Sequence, residues 1–196
     1  MYTSKSKEKI EQMNTITSEA RSCLACDLGE HRKKVVMGSG SLDAEIVFVG
    51  EAPGRKEDES GLPFVGSAGK LLDNLLGSAG LSRGEIFIGN ILKCRPPGNR
   101  RPKRSEVDSC EGYLMRQLEV IRPKVVAPMG NSALSYFQSR YGLGEEVIGD
   151  AHGRVFDVMA SWGPVKLVPL YHPAAAIYRR HLMGELEEDM KKLVDL

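Results

Sequence analysis

Short apolar runs alternate with helical patterns along most of this 196-residue chain. The runs are apolar nearly throughout, which is typical of strands buried on both faces of a sheet. Four such strands are predicted, over 45–49, 86–88, 124–128 and 166–170, with a short additional strand over 154–158. Apolar residues at steps of three and four predict helices over 5–20, 67–79 and 106–121. A turn at 130–133 leads into a further helix that ends at about 141, and two helical pieces follow residue 172. We expect Ser105 to cap the helix at 106–121 and Trp162-Gly163-Pro164 to form a turn.

This alternation predicts an α/β fold in which helices cover both faces of a parallel sheet. We expect a three-layer α/β/α architecture with a central four-stranded parallel sheet. The length suits one domain with a proper core, and no composition shift marks a linker. We therefore predict a single domain over 1–196, with an N-terminal helix and a cysteine-bearing segment at about 5–30.

Polar side chains follow the predicted strands at the edge where such folds bind ligands, outside the carboxyl ends of the strands. Glu51, Asn90, Asn131 and His172 each come just after a different strand, and Phe64 lies in a Gly/Pro-rich loop after the first. Taken singly, each has a structural alternative: a cap, a turn, a core aromatic or a structural histidine. Their joint placement favours one site for a small polar ligand.

Charge and composition exclude some functions and leave others open. The N-terminus lacks the apolar run of a signal peptide, and no segment approaches the about 20 apolar residues of a membrane span. We therefore expect a cytoplasmic protein. A net charge of +1 gives no global argument for nucleic acid, but five basic residues and no acid lie between Arg95 and Arg104. This segment is either a phosphate-contacting loop or an ordinary solvated surface.

Four cysteines, at Cys23, Cys26, Cys94 and Cys110, indicate a metal site, because thiols inside cells are kept reduced. A C-x2-C pair can direct two thiolates at one centre, and two distant cysteines complete a four-thiolate set. Zinc sites usually present two short pairs, so the wide second spacing leans towards a [4Fe-4S] cluster without deciding it. The alternative is that Cys94 and Cys110 are ordinary buried cysteines.

Several short motifs together resemble one known family. They are GEAPG at 50–54, PFVG at 63–66, the N-x3-C-R-P-P stretch at 90–97 and HPAA at 172–175, together with the four cysteines. In this order, over roughly residues 20–180, they are similar to the family 4 uracil-DNA glycosylases of archaea and thermophilic bacteria. The resemblance implies a four-stranded parallel α/β/α domain that holds a [4Fe-4S] cluster, releases uracil from DNA and leaves an abasic site. Because the basic loop from Arg95 to Arg104 lies between two of the cysteines, we expect the cluster to be structural and not redox-active.

The implied chemistry assigns a role to each candidate residue. Uracil must be flipped out of the duplex and leave as an anion. An asparagine amide matches its N3–H and O4, which is the role of Asn90, and Phe64 would stack on the base. By resemblance, neutral His172 donates to O2. The predicted sites are catalytic Glu51 and His172; uracil-binding Gly50, Ala52, Glu57, Phe64, Asn90 and His172; DNA-binding Arg95, Arg100, Arg101, Gly130, Asn131, Ser132 and Arg179; and metal-binding Cys23, Cys26, Cys94 and Cys110.

Ala52 departs from the family 1 enzymes, whose related loop GQDPY has an aspartate at that place. A carboxylate near the sugar must then come from Glu51 or Glu57, where it would position water or stabilise the developing cation. Glu57 could instead fill the space of thymine's methyl group, because Gly54 stands where that loop has tyrosine. The segment 176–179 lies where related enzymes place the wedge that enters the space left by the flipped base.

Two other functions fit the same residues less well. A uracil-DNA binding protein that traps its ligand resembles this chain, but that variant carries GEQPG and a histidine-bearing insertion, and the loop GNRRPKRSEV contains no histidine. A zinc-bound nucleotide-binding module lacks support because neither G-x-G-x-x-G nor a Walker loop is present. We expect a monomer that acts on uracil-containing DNA and does not bind membranes. The sequence does not decide whether a sliding clamp is a further partner.

Overall fold

A computed structural model of the chain describes residues 4–196 and contains a single mixed sheet in that range. The six strands have the spatial order β1-β3-β2-β4-β6-β5. Their bounds are β1 Ser39–Gly40, β2 Ile46–Gly50, β3 Phe87–Asn90, β4 Val125–Pro128, β5 Phe156–Ala160 and β6 Gly163–Leu167. The helices are α1 Ser4–Ser22, α2 Leu28–His31, α3 Arg55–Ser60, α4 Ser67–Ser78, α5 Arg104–Ile121, α6 Asn131–Tyr141, α7 Ile148–Ala151, α8 Pro173–Tyr178 and α9 Leu182–Val194.

The four central strands are parallel, which confirms the predicted fold class. β2 pairs in parallel with β3 and β4, and β4 pairs in parallel with β6. The register places Gly50 opposite Asn90, so the ends of β2 and β3 coincide. β1 and β5 add antiparallel edges on the two sides. The four-stranded parallel sheet is therefore the centre of a wider mixed sheet.

Alternating side chains of the buried strands divide the core into two layers. Phe48 points into the layer with Leu72, Leu186 and Met190, on the side of α4 and α9. Its neighbour Val47 points into the opposite layer, on the side of α5 and α6. Burial on both faces explains why these strands are apolar nearly throughout. No helix described within residues 4–196 is long and apolar enough to cross a membrane.

Two local predictions are wrong. Trp162-Gly163-Pro164 is not a turn throughout, because Gly163 and Pro164 already belong to β6, where Gly163 pairs with Ala160 and Pro164 with Met159. The antiparallel hairpin leaves only two residues for the turn.

Ser105 does not cap α5, which begins one residue earlier. The Glu106 carboxylate instead accepts the backbone N–H of Lys103 at 2.8 Å. An acid in the first turn thus satisfies the chain just before the helix, and Ser105 lies inside it.

Candidate active site

Gly50 lies where two predicted site residues meet at the strand ends. A Cβ at this position would lie 2.4 Å from Oδ1 of Asn90 and 2.8 Å from Cζ of Phe64. Only a residue without a side chain lets the amide and the ring approach the backbone this closely. Asn90 is 2% exposed at the end of β3. The sequence fragments at 50, 64 and 90 therefore form one compact group.

Phe64 stacks on His172, with ring centroids 5.6 Å apart and an interplanar angle of 30°. The ring is buried and also belongs to the core layer under α4, so the structural and the site interpretation both apply. Its backbone has φ = 51°, in the left-handed region that residues other than glycine rarely adopt. The loop after β2 thus places the ring of Phe64 beside His172 through an unusual backbone conformation at Phe64.

His172 precedes α8, and its Nδ1 accepts the backbone N–H of Ala174 at 3.1 Å. Burial lowers the pKa of this imidazole to about 4, although the Glu57 carboxylate opposes the shift. The ring is consequently neutral at pH 7. Because Nδ1 accepts a hydrogen bond, the single ring proton is on Nε2, which is then a donor.

Glu51 contacts the start of α6 and not solvent alone. The Ser132 hydroxyl donates to its Oε2. Both residues line a cavity of about 490 Å³ together with His172, Gly130 and Asn131. Ser132, predicted to contact phosphate, has its hydroxyl on the carboxylate, which fixes the orientation of Glu51 towards this cavity.

Glu57 bonds to the backbone of the loop that carries Phe64. Its Oε1 accepts the N–H groups of Val65 at 2.9 Å and of Gly66 at 3.0 Å. A Cβ on Gly54 would lie 2.8 Å from its other oxygen, Oε2. The structure therefore gives Glu57 a loop-shaping contact, while its role against the methyl group of thymine stays a prediction.

The four cysteines line one small cavity, with Leu28, Arg32 and Leu92 among its walls. All four are free thiols, and Arg32 Nη1 donates to Sγ of Cys94 at 3.5 Å. The backbone N–H of Lys93 donates to Sγ of Cys110 at 3.3 Å. Ala52, the second residue after β2, packs against the same group, and its predicted contact with uracil stays a prediction.

The chemistry of this donor set fits a bound metal group. Burial raises the pKa of Cys94, and raises the pKa of Cys110 to about 11, so both thiols are protonated unless a cation compensates. In the described part of the chain, no three His, Cys, Asp or Glu side chains are grouped closely enough for a single ion. A zinc ion would need its sulfurs within about 2.3 Å of one point. The four thiols, which line one small cavity, are a donor set that a bound metal group would neutralise.

Sequence reasoning missed Lys93, whose side chain is fully buried. Its Nζ donates to the backbone carbonyl of Asn90 at 2.8 Å, and burial lowers its pKa to about 8. Lysines are rarely buried, so composition and periodicity gave no signal for it. Lys93 lies between the cysteine cavity and the residue proposed to recognise the base.

Of the predicted basic contacts, Arg101 and Arg179 line the same cavity as Glu51 and His172. Arg100 instead forms a two-pronged pair with the buried Glu106, at 2.9 and 2.5 Å. Arg95 Nε donates to Oδ1 of Asn99 at 2.7 Å, within the basic loop. Two arginines therefore shape that loop, and two face the cavity.

The turn before α6 also lines the cavity. Gly130 has φ = 83°. The Asn131 Oδ1 accepts the N–H of Ile148 at 2.8 Å, so this side chain anchors α7. The backbone of the turn remains the part that could contact phosphate.

The chain matches known proteins over nearly its full length. The model of the uracil DNA glycosylase superfamily matches residues 37–194. A type-4 uracil-DNA glycosylase of Archaeoglobus fulgidus is 47% identical over 188 residues, which cover 95% of this chain and 94% of that protein. The type-4 enzyme of Saccharolobus solfataricus is 42% identical over 185 residues, or 94% and 86% of the two chains. That of Thermotoga maritima is 40% identical over 185 residues, or 93% of each.

A parallel α/β/α fold with this group of residues at its strand ends, matched over this range, places the chain in the uracil-DNA glycosylase superfamily. Within it, the chain belongs to the type-4 uracil-DNA glycosylases, in agreement with the resemblance of its motifs.

Proposed function

We propose that this protein is a monofunctional uracil-DNA glycosylase, a hydrolase that cleaves the N-glycosidic bond of deoxyuridine in DNA as a step of base excision repair. The observation that supports it most directly is that Asn90 and Phe64 meet at Gly50 and that an Nε2-protonated His172 stacks on Phe64. The family membership of the chain supports the same activity.

Uracil recognition rests on Asn90. Its carboxamide offers one acceptor and one donor, which match N3–H and O4 of uracil. Cytosine presents the opposite pattern at these two positions and would leave both groups unpaired. Since Asn90 is 2% exposed, an unpaired amide there would cost more than at the surface. Phe64 supplies the flat surface on which the flipped base stacks.

Departure of uracil rests on His172. Negative charge develops on O2 as the glycosidic bond breaks, and a neutral Nε2–H donor strengthens its hydrogen bond as this happens. The low pKa of about 4 keeps the imidazole neutral, so the uracil anion receives a hydrogen bond without taking the ring proton. Nδ1 is held by Ala174, which fixes the ring for this contact.

Glu51 is the carboxylate proposed for the sugar side. Its contact with Ser132 orients it in the cavity it shares with His172. From there it would stabilise the oxocarbenium-like sugar or position the attacking water. Glu57 already bonds two backbone N–H groups, which favours Glu51 for this role.

The DNA-binding face is proposed around the mouth of the same cavity. Arg101 and Arg179 would contact phosphates beside the flipped nucleotide, together with the turn at 130–132. Tyr178 also lines this cavity and is 87% exposed, which makes it our candidate for the wedge within 176–179. Arg95 and Arg100 remain predicted DNA contacts through the loop they shape.

We propose that Cys23, Cys26, Cys94 and Cys110 hold a structural [4Fe-4S] cluster. Bound there, the cluster would cross-link α1, the basic loop and α5 and would take no part in glycosidic bond cleavage. The shared cavity and the two N–H donors to sulfur support this assignment. Cytoplasmic location and a monomeric state remain predictions.

Incubation with an oligonucleotide that contains one uracil, followed by alkali, tests the activity. We expect strand breakage with the wild type, none with the matching thymine oligonucleotide, and a large loss of activity for Asn90→Ala. Absence of cleavage by the wild type would refute the proposal. A covalent complex that survives denaturing electrophoresis would instead identify a trapping protein.

A further inference from the structure

We infer that Arg83 is a positioning residue that holds the stacking ring of Phe64 in place. Arg83 lies in the loop between α4 and β3, outside every motif that the resemblance uses. Its Nη2 donates to the backbone carbonyl of Phe64 at 2.6 Å and to that of Gly69 at 3.4 Å. Its Nη1 donates to the carbonyl of Pro63 at 3.2 Å. This inference rests on the proposed function, since it concerns the stacking of uracil.

The backbone of Phe64 needs such support because it is strained. Its φ of 51° lies in the left-handed region, where a bulky residue persists only if the surroundings enforce it. Without constraint, the segment would relax and carry the ring away from His172. Arg83 donates to the carbonyls of Pro63 and Phe64, which lie on either side of the strained N–Cα bond of Phe64.

The opposite flank of the loop is held by a different charge. The Glu57 carboxylate accepts the N–H groups of Val65 and Gly66, immediately after Phe64. The Arg83 guanidinium thus donates to the carbonyls of Pro63 and Phe64, and the Glu57 carboxylate accepts the N–H groups of the two residues that follow Phe64. The two groups hold the loop on both sides of the strained residue.

The guanidinium has the geometry this contact requires. Its Nε donates to Asp73 of α4, which orients the planar fork, and its two remaining nitrogens reach the three carbonyls. A lysine retains the positive charge but offers one nitrogen and no fixed plane. Arg83→Lys therefore removes the shape of the contact while keeping its charge.

Arg140→Lys is the matched control, because Arg140 is also a half-exposed arginine paired with an acid, Glu111, between two helices. We expect Arg83→Lys to lower kcat/KM for uracil-containing DNA about tenfold, which lies within the range that stacking of one base contributes. Inhibition by free uracil should weaken by a similar factor. Arg140→Lys should change neither quantity.

A double-mutant cycle separates positioning from general stability. In a Phe64→Ala background no ring remains to be positioned, so Arg83→Lys should change kcat/KM by less than about twofold. Equal losses in both backgrounds would overturn the inference. If Arg83→Lys fails to fold, Asp73→Asn replaces it, since it leaves Arg83 present but removes the group that orients it.

Hydrogen exchange of the Val65 and Gly66 amides supplies a readout that does not depend on activity. If Arg83 holds the loop of Phe64 in place, exchange at these two amides should be faster in Arg83→Lys than in the wild type. In Arg140→Lys their exchange rates should be unchanged. Unchanged exchange would contradict the inference even if the enzyme is active. If Arg83→Lys exchanges faster but the wild type does not cleave uracil-containing DNA, the glycosylase function is refuted and the positioning of Phe64 by Arg83 still stands.

Discussion

The base site and the cysteine cavity differ in how far the protein alone completes them. At the base site, Nδ1 of His172 is bonded to Ala174, Glu51 to Ser132, and the loop of Phe64 to Glu57 and Arg83. In the cysteine cavity, burial raises the pKa of Cys94 and Cys110, and one N–H group donates to the sulfur of each. The first region is ordered by its own contacts, whereas in the second burial disfavours the thiolate form that the proposed cluster would bind.

The largest expected effect is on catalysis at the base site. His172→Ala should lower kcat about 10²- to 10³-fold, because it removes a preorganised donor to the developing anion. The midpoint temperature of thermal unfolding should change little, and the iron content should not change. Single-turnover assays and iron analysis measure these quantities.

His181→Ala provides the control for that experiment, since His181 is an exposed histidine just before α9. It should retain the activity of the wild type. A His172→Ala enzyme with full activity would remove this residue from the mechanism.

The cysteine cavity should respond in the opposite way, through stability and metal. Cys110→Ser should abolish the visible absorption and iron of the purified protein and cost roughly 3 kcal/mol, about a quarter of a structural metal's binding energy. DNA affinity should fall as the loop at 95–104 loosens.

The neighbouring exposed Ser105 offers a matched substitution, Ser105→Ala, which should leave iron and stability unchanged. DNA affinity that survives the loss of iron would contradict the structural role proposed for the cluster. Zinc in place of iron would contradict the cluster itself.

Two glycines of the same helix test whether the base site is ordered by backbone packing. A Cβ on Gly69 would lie 1.7 Å from the carbonyl oxygen of Phe64, so Gly69→Ala must displace the loop and should destabilise the fold by about 2 kcal/mol. At Gly77 nothing lies within 4 Å of the added Cβ, and Gly77→Ala should stabilise by about 0.5–1 kcal/mol. Denaturant unfolding of both variants measures the difference.

Activity should follow the same order, because Gly69→Ala moves Phe64 and Gly77→Ala does not. Similar behaviour of the two variants would show that the close approach of α4 to the loop is unimportant.

Counted per unit of pH, the smallest expected effect is the pH dependence of stability that arises from His172. Its pKa is about 4 in the folded protein and about 6.5 when unfolded, so the unfolded chain binds the additional proton between these values. Stability from this group is complete above about pH 6.5 and falls as pH decreases towards 4, by at most about 1.4 kcal/mol per pH unit.

His172→Gln lacks this titration, so the difference in unfolding free energy between the two proteins isolates it. The kcat of the wild type should show no inflection near pH 6.5 from this residue. An inflection there that His172→Gln abolishes would mean that the imidazole is protonated near neutrality.

The positions of the central strands along the chain and their burial were predictable, because apolar runs report burial on both faces directly. Glu51, Asn90 and His172 were placed near one another by the rule that parallel strands end at the same edge. The edge strand β1 has two residues and carries no periodicity, so it was not predicted. The start of β6 at Gly163 depends on hairpin pairing with β5, which a local pattern does not contain.

The sequence by itself determined the fold class, the four cysteines and the residues proposed to recognise a base, since these depend on residue type and on the order of elements along the chain. Only the tertiary structure decided the roles of Arg83, Ser132, Glu57 and Lys93. Each acts through a hydrogen bond whose partner was not assigned from the sequence, such as the 2.6 Å contact from Arg83 to the carbonyl of Phe64. Such contacts depend on where the backbone runs in space, and periodicity and composition do not encode that position.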